Sequence, residues 1–173
     1  MTEAGDGAIV RQVLDGDTEA FGILVERYRI EFGRVAEAML GDRDAAEDVL
    51  QESFISAYRS LGRCRDPERF KSWAFRIVTN RCRDLLRKRP AISIDLVEVP
   101  AKEAADMPAE DSELAAQLER AMSRLTPEQR EVFVMKEVEG RSYEEMAELL
   151  DLKIDALRMR VMRAKTVLRK AMT

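Results

Sequence analysis

Residues 142–165 decide the fold of the second half of the chain, and they read SYEEMAELLDLKIDALRMRVMRAK. Ser142 followed by Glu145 is the capping-box pattern that starts a helix, and apolar residues then recur at three- and four-residue spacing. A polar turn at 151–153 interrupts that spacing, and a longer basic segment resumes it from Ile154. A short helix, a tight turn and a longer basic helix are typical of a helix-turn-helix unit. A plain helical hairpin is the alternative that this pattern leaves open.

Helical periodicity extends outward from this unit over most of the chain. Apolar residues recur at three- and four-residue spacing, and glycine or proline follows where the period stops. Thr126 and Pro127 begin one helix with a cap and a first-position proline, and Asp17 or Thr18 caps another. We therefore predict an all-α fold made of two small helical bundles. The predicted helices span 18–40, 44–61, 69–88, 113–125, 126–139, 142–150 and 154–172.

One segment, between residues 91 and 112, breaks the helical period. Prolines at positions 90, 100 and 108, together with scattered acids, mark it as a linker. The predicted organisation is a helical domain over 1–90, a flexible linker over 91–112 and a helix-turn-helix domain over 113–173. A short apolar stretch of the linker suits an extended segment laid on a partner: Ile92, Ile94, Leu96, Val97 and Val99.

The composition argues against catalysis. The 173 residues include no histidine, the usual general base at neutral pH, and no Walker loop, GxGxxG or GxSxG motif. The two cysteines, Cys64 and Cys82, are too few for a tetrahedral zinc site. We expect free thiols in a reducing compartment, with a redox-sensing pair as the alternative. The sequence predicts a protein that is not an enzyme and needs neither metal nor cofactor.

Hydropathy favours a cytoplasmic location. No apolar run approaches the roughly 20 residues of a membrane span, and residues 1–17 are polar and acidic, unlike a signal peptide. With 46% apolar and 36% charged residues, we expect a folded helical protein with solvated faces. No insertion into a membrane is predicted.

Charge is segregated along the chain, although the net charge is only −4. Residues 63–90 carry 10 basic and 3 acidic side chains, and residues 153–173 carry 7 basic and 1 acidic. Residues 1–62 carry 6 basic and 13 acidic side chains, and residues 91–122 carry 2 basic and 8 acidic. Two basic blocks, each on a predicted helix, indicate two contacts with a polyanion rather than merely solvated faces.

The last helix has the features of a reader of duplex DNA. A helix fits the major groove, where Arg binds guanine bidentately, and cations further along, here Arg169 and Lys170, suit phosphates. The predicted reading side chains are Arg158, Met159, Met162, Arg163 and Lys165. The residues predicted to lock this helix against the preceding one are Met146, Ala147, Leu150, Leu152, Leu157 and Val161.

The helix predicted at 69–88 combines a buried stripe with a polar face. The stripe comprises Trp73, Ala74, Ile77, Val78 and Leu85, to which Cys82 can be added. The other side carries Arg76, Asn80, Arg83, Asp84 and Arg87. Near the helix start, three aromatic residues lie beside Arg69 and Lys71, which suits stacked bases and a phosphate track: Phe70, Trp73 and Phe75. Core packing is the alternative for each aromatic ring, and we favour it for Trp73.

Three segments in this order resemble the extracytoplasmic-function (ECF) class of bacterial sigma factors, which bind RNA polymerase and direct it to promoters. They are DRDAAEDVLQESFISAYRSL (42–61), FKSWAFRIVTNRCRDLLRKR (70–89) and LTPEQREVFVMKEVEGRSYEEMAELLDLKIDALRMRVMRAKTVLRK (125–170). The resemblance covers residues 10–90 and 112–170. It implies a sigma-two-like domain and a sigma-four-like domain, with the acidic linker threaded toward the polymerase active-site channel as a mimic of nucleic acid.

The resemblance also implies roles by position. The helix with the AED..QE pattern would bind the coiled coil of the polymerase β′ clamp through Asp48, Gln51 and Glu52, and the C-terminal domain would meet the β flap. The loop from Arg63 to Phe70 would capture a flipped base of the minus-ten element, and the N...D..R face would help to melt or read that element. The implied minus-ten contacts are Arg63, Arg65, Phe70, Lys71, Arg76, Asn80, Arg83, Asp84 and Arg87.

The last helix would read the minus-thirty-five element, but its start departs from the family pattern. Where the family has G-T-V-K/R-S-R, this chain has Asp155-Ala156-Leu157-Arg158-Met159-Arg160. Hydroxyl groups are lost, and the charge of Asp155 is unfavourable near DNA unless an arginine pairs with it. We predict an unusual minus-thirty-five sequence or a weaker dependence on it, which strong binding to a GGAAC-like element would contradict.

The implied partners are core RNA polymerase, promoter DNA and an anti-sigma factor. The anti-sigma factor of such proteins is often membrane-anchored. We therefore expect the cytoplasmic protein to be either nucleoid-associated within holoenzyme or held at the membrane by its inhibitor. Two other functions stay open. A stand-alone helix-turn-helix regulator would bind duplex DNA as a dimer, but it leaves the N-terminal half without a purpose. A helical adaptor that binds only protein would tolerate neutralisation of Arg158 and Arg163.

Overall fold

The computed structural model describes residues 4–89 and 109–173, with residues 109–111 described by their backbone alone. All regular elements in these ranges are helical and neither range contains a strand, so the all-α prediction is confirmed. None of the described helices is both long enough and apolar enough to cross a membrane. Short 3-10 turns cover Thr18–Ala20, Leu61–Arg63 and Pro67–Arg69. The α-helices are α1 (Asp6–Leu14), α2 (Phe21–Leu40), α3 (Arg43–Arg59), α4 (Phe70–Lys88), α5 (Ala109–Met122), α6 (Pro127–Phe133), α7 (Tyr143–Leu150) and α8 (Ile154–Ala171).

Helices α2, α3 and α4 pack around an aromatic core. The Asp17 side chain caps the 3-10 turn before α2 by accepting a hydrogen bond from the Ala20 amide, and the Asp42 side chain caps α3 by accepting one from the Ala45 amide. Helix α2 ends at Gly41, whose φ of 64° is the left-handed conformation that glycine adopts without strain. The rings that fill this core are Phe21, Tyr28, Phe32, Phe54, Phe70 and Phe75.

Helix α1 is not anticipated by the periodicity of the sequence. It buries few apolar side chains, among them Ile9 and Val13, so its pattern is too short to stand out from its polar neighbours. Asp6, its first residue, accepts hydrogen bonds from Tyr28 (2.5 Å) and Arg27 (2.6 Å) of α2. Burial, and then the Asp6 carboxylate, raise the pKa of Tyr28. Contacts with α2 therefore hold α1 in place.

Helices α6, α7 and α8 form the predicted helix-turn-helix arrangement. Both capping boxes are present at the starts of α6 and α7, with Thr126 and Ser142 as the capping residues. Met146, Leu157 and Val161 are buried, as predicted. Helix α6 continues into a π-helical turn at Val134–Val138, and the turn after α7 begins at Asp151 with a φ of 56°.

Helix α5 begins at Ala109, inside the segment predicted as the linker, and it contacts α8. The remaining part of the predicted linker, including the apolar stretch from Ile92 to Val99, lies outside the described residues.

The two halves of the chain pack against each other. Helix α4 lies against α6 and α7, and the buried apolar residues of both halves form one continuous cluster. The carboxylate of Glu119 on α5 packs over Gly41, the residue that ends α2. The C-terminal half therefore contacts both α4 and the end of α2.

Candidate nucleic-acid interface

The outward side of α4 carries the polar face expected from the sequence. Asn80, Asp84 and Arg87 are exposed, whereas Arg76 and Arg83 are partly buried. Two hydrogen bonds join side chains one turn apart on this face: Arg83 donates to Asn80, and Arg87 donates to Asp84 (3.2 Å). The opposite side is buried at Ala74, Val78 and Cys82 and partly buried at Trp73, Ile77 and Leu85.

A cavity of about 320 Å³ lies where the loop before α4 meets the start of that helix. An indole ring among guanidinium groups is an arrangement that suits a stacked base and its phosphates. The loop is shaped by the 3-10 turn Pro67–Arg69, before which the Asp66 side chain accepts a hydrogen bond from the Glu68 amide (3.1 Å). The lining residues are Arg63, Cys64, Arg65, Asp66, Arg69, Trp73 and Arg76.

Phe70 does not reach this surface. Its side chain is 0% exposed, and its ring contacts the rings of Phe21, Tyr28 and Trp73. The expectation that Phe70 meets DNA is therefore corrected, because packing of a large ring in an aromatic core outweighs the pattern of the helix start. Phe75 is also fully buried, as its core alternative requires.

Lys71 is directed toward α2 rather than into the cavity. Its ammonium group pairs with Glu31 (3.0 Å) and lies 5.8 Å from the centre of the Tyr28 ring. Lys71 remains partly exposed, so its assigned role in binding DNA stays a prediction.

Carboxylates from the C-terminal half meet the outward arginines of α4. Glu131 is 1% exposed, and burial raises the pKa of its carboxyl against the opposing charges of Arg83 and Arg160. In this conformation α6 and α7 pack beside the polar face of α4, while Asn80, Asp84 and Arg87 remain exposed. The ion pairs are Arg76–Asp151 (3.5 Å), Arg83–Glu131 (3.7 Å) and Arg87–Glu128.

Arg141 crosses between the halves in the opposite direction. Its guanidinium donates to Glu31 of α2 (2.9 Å) and lies 5.6 Å from the centre of the Phe75 ring, with 11% of the side chain exposed. Burial pulls the pKa of Glu31 upward, but hydrogen bonds from Lys71 and Arg141 outweigh it and hold the pKa below its usual value. No periodicity marks Arg141, because it stands in a loop after Gly140.

The outer face of α8 is open to solvent. Met159 and Met162 are 50% and 59% exposed, and Arg163 is exposed beside them. Arg158 lies over the Tyr143 ring (5.5 Å) and pairs with Asp155 (3.6 Å), which supplies the partner that the acidic start of this helix calls for.

Lys165 differs from the other predicted reading residues. It pairs with Glu137 of the π-helical turn (2.7 Å), so its charge is drawn toward α6. Arg163 has no such ion pair within the described ranges. The structure therefore separates a solvent-facing arginine from a lysine held by its own chain.

Helix α3 exposes the three predicted polymerase contacts, Asp48, Gln51 and Glu52. Ile55 and Tyr58 follow on the same side and are 44% and 40% exposed. The Tyr58 ring also lies edge-on against Phe21, with 5.2 Å between ring centres, so only part of this side chain faces solvent. An acidic face with exposed apolar side chains suits a protein partner.

Both cysteines are free and buried. Burial raises the pKa of Cys64, and burial followed by the charge of Glu131 raises the pKa of Cys82 to about 12. Both thiols are therefore protonated at neutral pH, a state that is poorly reactive. Among the residues of known placement, no group of three or more Cys, Asp or Glu side chains could hold a metal ion.

Comparison with known proteins gives the family of this chain. Residues 24–91 match the family model for Sigma-70 region 2, and residues 115–168 match the model for Sigma-70, region 4. The chain is 31% identical to the ECF RNA polymerase sigma-E factor of Escherichia coli K12, over 92% of this chain and 90% of that protein. It is 30% identical to the RNA polymerase sigma-H factor of Pseudomonas aeruginosa, over 99% of this chain and 96% of that protein.

Solved structures show the same arrangement of helices. CnrH in complex with the cytosolic domain of CnrY matches with a TM-score of 0.66 and 30% identity, over 95% of each chain. The sigma factor RpoE in complex with the anti-sigma factor NepR from Bartonella quintana shares the fold, with a TM-score of 0.58 and 22% identity over 87% of this chain and 95% of that one. A helical protein that joins region 2 to region 4 is a sigma factor of the sigma-70 type. This chain belongs to the ECF sigma factors.

Proposed function

We propose that this ECF sigma factor binds core RNA polymerase and selects promoters through three surfaces, on α3, α4 and α8. One observation carries the proposal. Two basic helical surfaces lie in different halves of the chain, and each sits on a rigid helix above a packed core. Two separate contacts with one duplex are what recognition of two promoter elements requires.

The polymerase contact is assigned to the exposed acidic side of α3. Asp48 and Gln51 lie beside Glu52, whose carboxylate accepts a hydrogen bond from Arg81 of α4 (2.9 Å). Exposed Ile55 adds an apolar centre to this surface. The chemistry fits a basic protein surface, and the β′ clamp coiled coil is the partner that the resemblance implies. The β flap is assigned to the C-terminal half by resemblance alone.

The minus-ten contact is assigned to α4 and the cavity at its start. Trp73 offers an aromatic wall for a flipped base, and Arg63, Arg65 and Arg76 offer charge for the flanking phosphates. Asn80 lies further along the helix and suits hydrogen bonds to base edges. Phe70 supports this surface from the core.

The minus-thirty-five contact is assigned to the outer face of α8. Arg158 and Arg163 flank the exposed pair Met159 and Met162 across a helix that fits the major groove. Lys165 belongs at the edge of this surface because it pairs with Glu137. The ion pair with Arg158 lowers the electrostatic cost of placing the Asp155 carboxylate near DNA. The hydroxyl groups of the family pattern are still missing, so we retain the prediction of an unusual minus-thirty-five element.

An anti-sigma factor is the proposed regulator, and the cytoplasm is the proposed location. CnrH is bound to the cytosolic domain of CnrY in the structure that this chain matches at 30% identity. A comparable inhibitor would act on this chain before polymerase captures it, either free in the cytoplasm or at the membrane.

In vitro transcription with core polymerase on a genomic fragment library tests the proposal. We expect RNA chains that start selectively at promoters which core enzyme alone does not use. Failure to associate with core enzyme, or starts no more selective than those of the core, would overturn the proposal. Tight dimeric binding to a palindrome without polymerase would instead support a stand-alone regulator. Transcription unaffected by Arg158→Ala with Arg163→Ala would support a protein-only adaptor.

The polymerase surface has its own test. Asp48→Ala combined with Glu52→Ala should weaken binding to core enzyme by about tenfold, because the two charges lie in the centre of the proposed contact. Asp15→Asn removes one exposed carboxylate from the end of α1 and serves as the control. Equal binding by both variants would exclude this side of α3.

A further inference from the structure

Two neighbouring residues on the polar face of α4 are joined by a hydrogen bond that bears on what this face can read. Asn80 is exposed and lies one helical turn before Arg83, whose guanidinium donates to the Asn80 side-chain oxygen. Asn80 also lies one turn beyond Arg76, which lines the cavity proposed for the flipped base. Asn80 therefore stands beside the flipped base and faces its neighbour in the minus-ten element.

The chemistry of the two side chains fixes which way the Asn80 amide is turned. Arginine carries only N–H donors and has no acceptor, whereas an asparagine amide has an acceptor oxygen and an amino group with two donors. The oxygen of Asn80 must therefore face Arg83, as it does here. The amino group makes no hydrogen bond with any residue that the structure describes, so its donors are available to a ligand.

Arg83 is itself held in place. Only 24% of its side chain is exposed, and its guanidinium lies 3.7 Å from the carboxylate of Glu131, which is 1% exposed. A partly buried side chain with a partner at each end has few rotamers left to lose when it orients a neighbour. The bond to Asn80 spans one turn of a single helix, so it can form whatever the rest of the chain contacts.

A reader that offers only donors discriminates among the four bases. In the major groove guanine presents two acceptors, adenine an acceptor and a donor, thymine an acceptor, and cytosine a donor. An unrestrained asparagine favours adenine, because it binds that base through its oxygen and its amino group together. With the oxygen of Asn80 occupied by Arg83, the pairing with adenine loses one of its two bonds. Guanine is then the base whose edge best matches Asn80.

We infer that Arg83 is a positioning residue that fixes Asn80 as a donor-only reader, and that the base which Asn80 faces in the minus-ten element is guanine. The inference rests on the proposed function, in which α4 contacts that element. It gives Arg83 an effect on which base is preferred, separate from the attraction of its charge for phosphate.

The test measures base preference with holoenzyme, made from core polymerase and the full-length chain. Promoters found by the transcription assay are varied one position at a time through the minus-ten element, and bound DNA is sequenced. The position read by Asn80 is the one whose preference disappears in Asn80→Ala. There the wild type should favour guanine over adenine by about tenfold, the lower end of the effect of one good contact with a base.

Arg83→Ala should abolish this discrimination between guanine and adenine, because the released amide can turn its oxygen toward adenine. Both arms of the comparison carry Glu131→Gln, so that the loss of Arg83 leaves no buried carboxylate without its cation. The reference is therefore Glu131→Gln alone, which should retain the preference for guanine.

Arg87→Ala is the matched control. It removes the same charge from the same face of α4, one turn further on, and its partners are Asp84 and Glu128 rather than Asn80. It should weaken binding to all four bases alike and leave the preference unchanged. The inference is overturned if Arg83→Ala behaves in the same way, since Arg83 would then supply charge and nothing else.

Asn80→Asp covers the case in which Arg83→Ala does not fold. It keeps the size of the side chain and an oxygen for Arg83, but it replaces the outward donors with an acceptor. The preferred base should change from guanine to cytosine or adenine, which present an amino group, while overall binding weakens because the added charge repels phosphate. A preference that stayed at guanine would overturn the inference.

The wild type gives the remaining outcomes. A preferred base other than guanine at the position read by Asn80, or no position that depends on Asn80, would also contradict the inference. In each of these cases the chain would still associate with core polymerase and start RNA chains selectively. Failure of the proposed function would appear instead as the loss of that association or selectivity.

Discussion

The two basic helices, α4 and α8, share a sequence pattern but differ in what covers them. Both are long and amphipathic, with arginine at three- and four-residue spacing on the polar side. On α4, Arg83 and Arg87 meet Glu131 and Glu128 of the other half. On α8, the exposed Arg163 makes no ion pair with any residue of described position. In this conformation the arginines of one basic surface are paired with carboxylates of the other half, and the other surface keeps an unpaired arginine among the described residues.

The difference shows that a basic block locates a surface for a polyanion but does not tell whether that surface is free. The carboxylates that face α4 lie far along the chain, 41 residues away for the Arg87–Glu128 pair and 75 for the Arg76–Asp151 pair. The partner of Arg158 on α8 is Asp155, one helical turn away. Only the second kind of pairing can be seen in a local pattern.

The largest expected effect concerns the aromatic core against which α4 packs. Phe70→Ala should lower the free energy of unfolding by about 4 kcal/mol, because it leaves a cavity among those rings. Urea denaturation measures the change, and Phe70→Leu should lose clearly less. A stable Phe70→Ala chain that failed only at the minus-ten element would restore Phe70 as a contact with DNA.

A matched pair of arginine substitutions compares α4 with α8. Arg83→Ala should lower the free energy of unfolding by about 2 kcal/mol, because it deprives the buried Glu131 carboxylate of a cation. Arg163→Ala should change it by less than about 0.5 kcal/mol, since this exposed side chain makes no ion pair or hydrogen bond with the part of the chain that the structure describes. Adding Glu131→Gln to Arg83→Ala should recover part of the loss. Equal effects of both arginine substitutions would show that the Arg83–Glu131 pair does not form in solution.

Helix α8 itself contains a contrast that binding to DNA can reveal. With promoters found by the transcription assay, Arg163→Ala should weaken binding of holoenzyme by about 1.4 kcal/mol, roughly tenfold, because its guanidinium faces solvent. Lys165→Ala should cost less, since Lys165 is held by Glu137. Glu137→Gln frees Lys165 and should tighten binding slightly. A larger loss for Lys165→Ala than for Arg163→Ala would reverse this order.

The smallest expected effect concerns the apolar centre of α8. Met159 and Met162 lie where a reading helix would meet the groove floor, and apolar side chains there contact the methyl group of thymine. Replacing thymine by uracil in the minus-thirty-five region should weaken binding by about 0.8 kcal/mol per contacted methyl, roughly fourfold. Met162→Ala should reduce this sensitivity to uracil. Equal sensitivity in the wild type and in Met162→Ala would remove Met162 from the reading surface.

Elements with strong local chemistry could be predicted closely. Helix α7 begins after Ser142 and α6 after Thr126, because each capping box is complete within four residues. Helix α1 and the start of α5 at Ala109 could not be predicted. Short or weakly periodic segments take their structure from the helices that they touch.

The residues of the candidate site also fall into two groups, those that the local pattern placed and those whose contacts it did not show. Periodicity placed Asn80, Asp84 and Arg87 on one exposed face of α4, and it placed Met159 and Met162 on the outer face of α8. It did not show that Phe70 is part of the core, that Lys165 pairs with Glu137, or that Arg141 crosses between the halves. Those outcomes depend on which rings and charges meet after the chain has folded.

The sequence by itself determined the all-helical class, the helix-turn-helix unit, the two basic surfaces and the family. Each of these depends on spacing within a few residues, or on motifs read in order along the chain. Only the tertiary structure decided that arginines of α4 pair with carboxylates of the other half, whereas Met159, Met162 and Arg163 of α8 face solvent. That result rests on ion pairs such as Arg87–Glu128 and Arg141–Glu31, which form between residues 41 and 110 positions apart, and no local pattern records a contact made by folding.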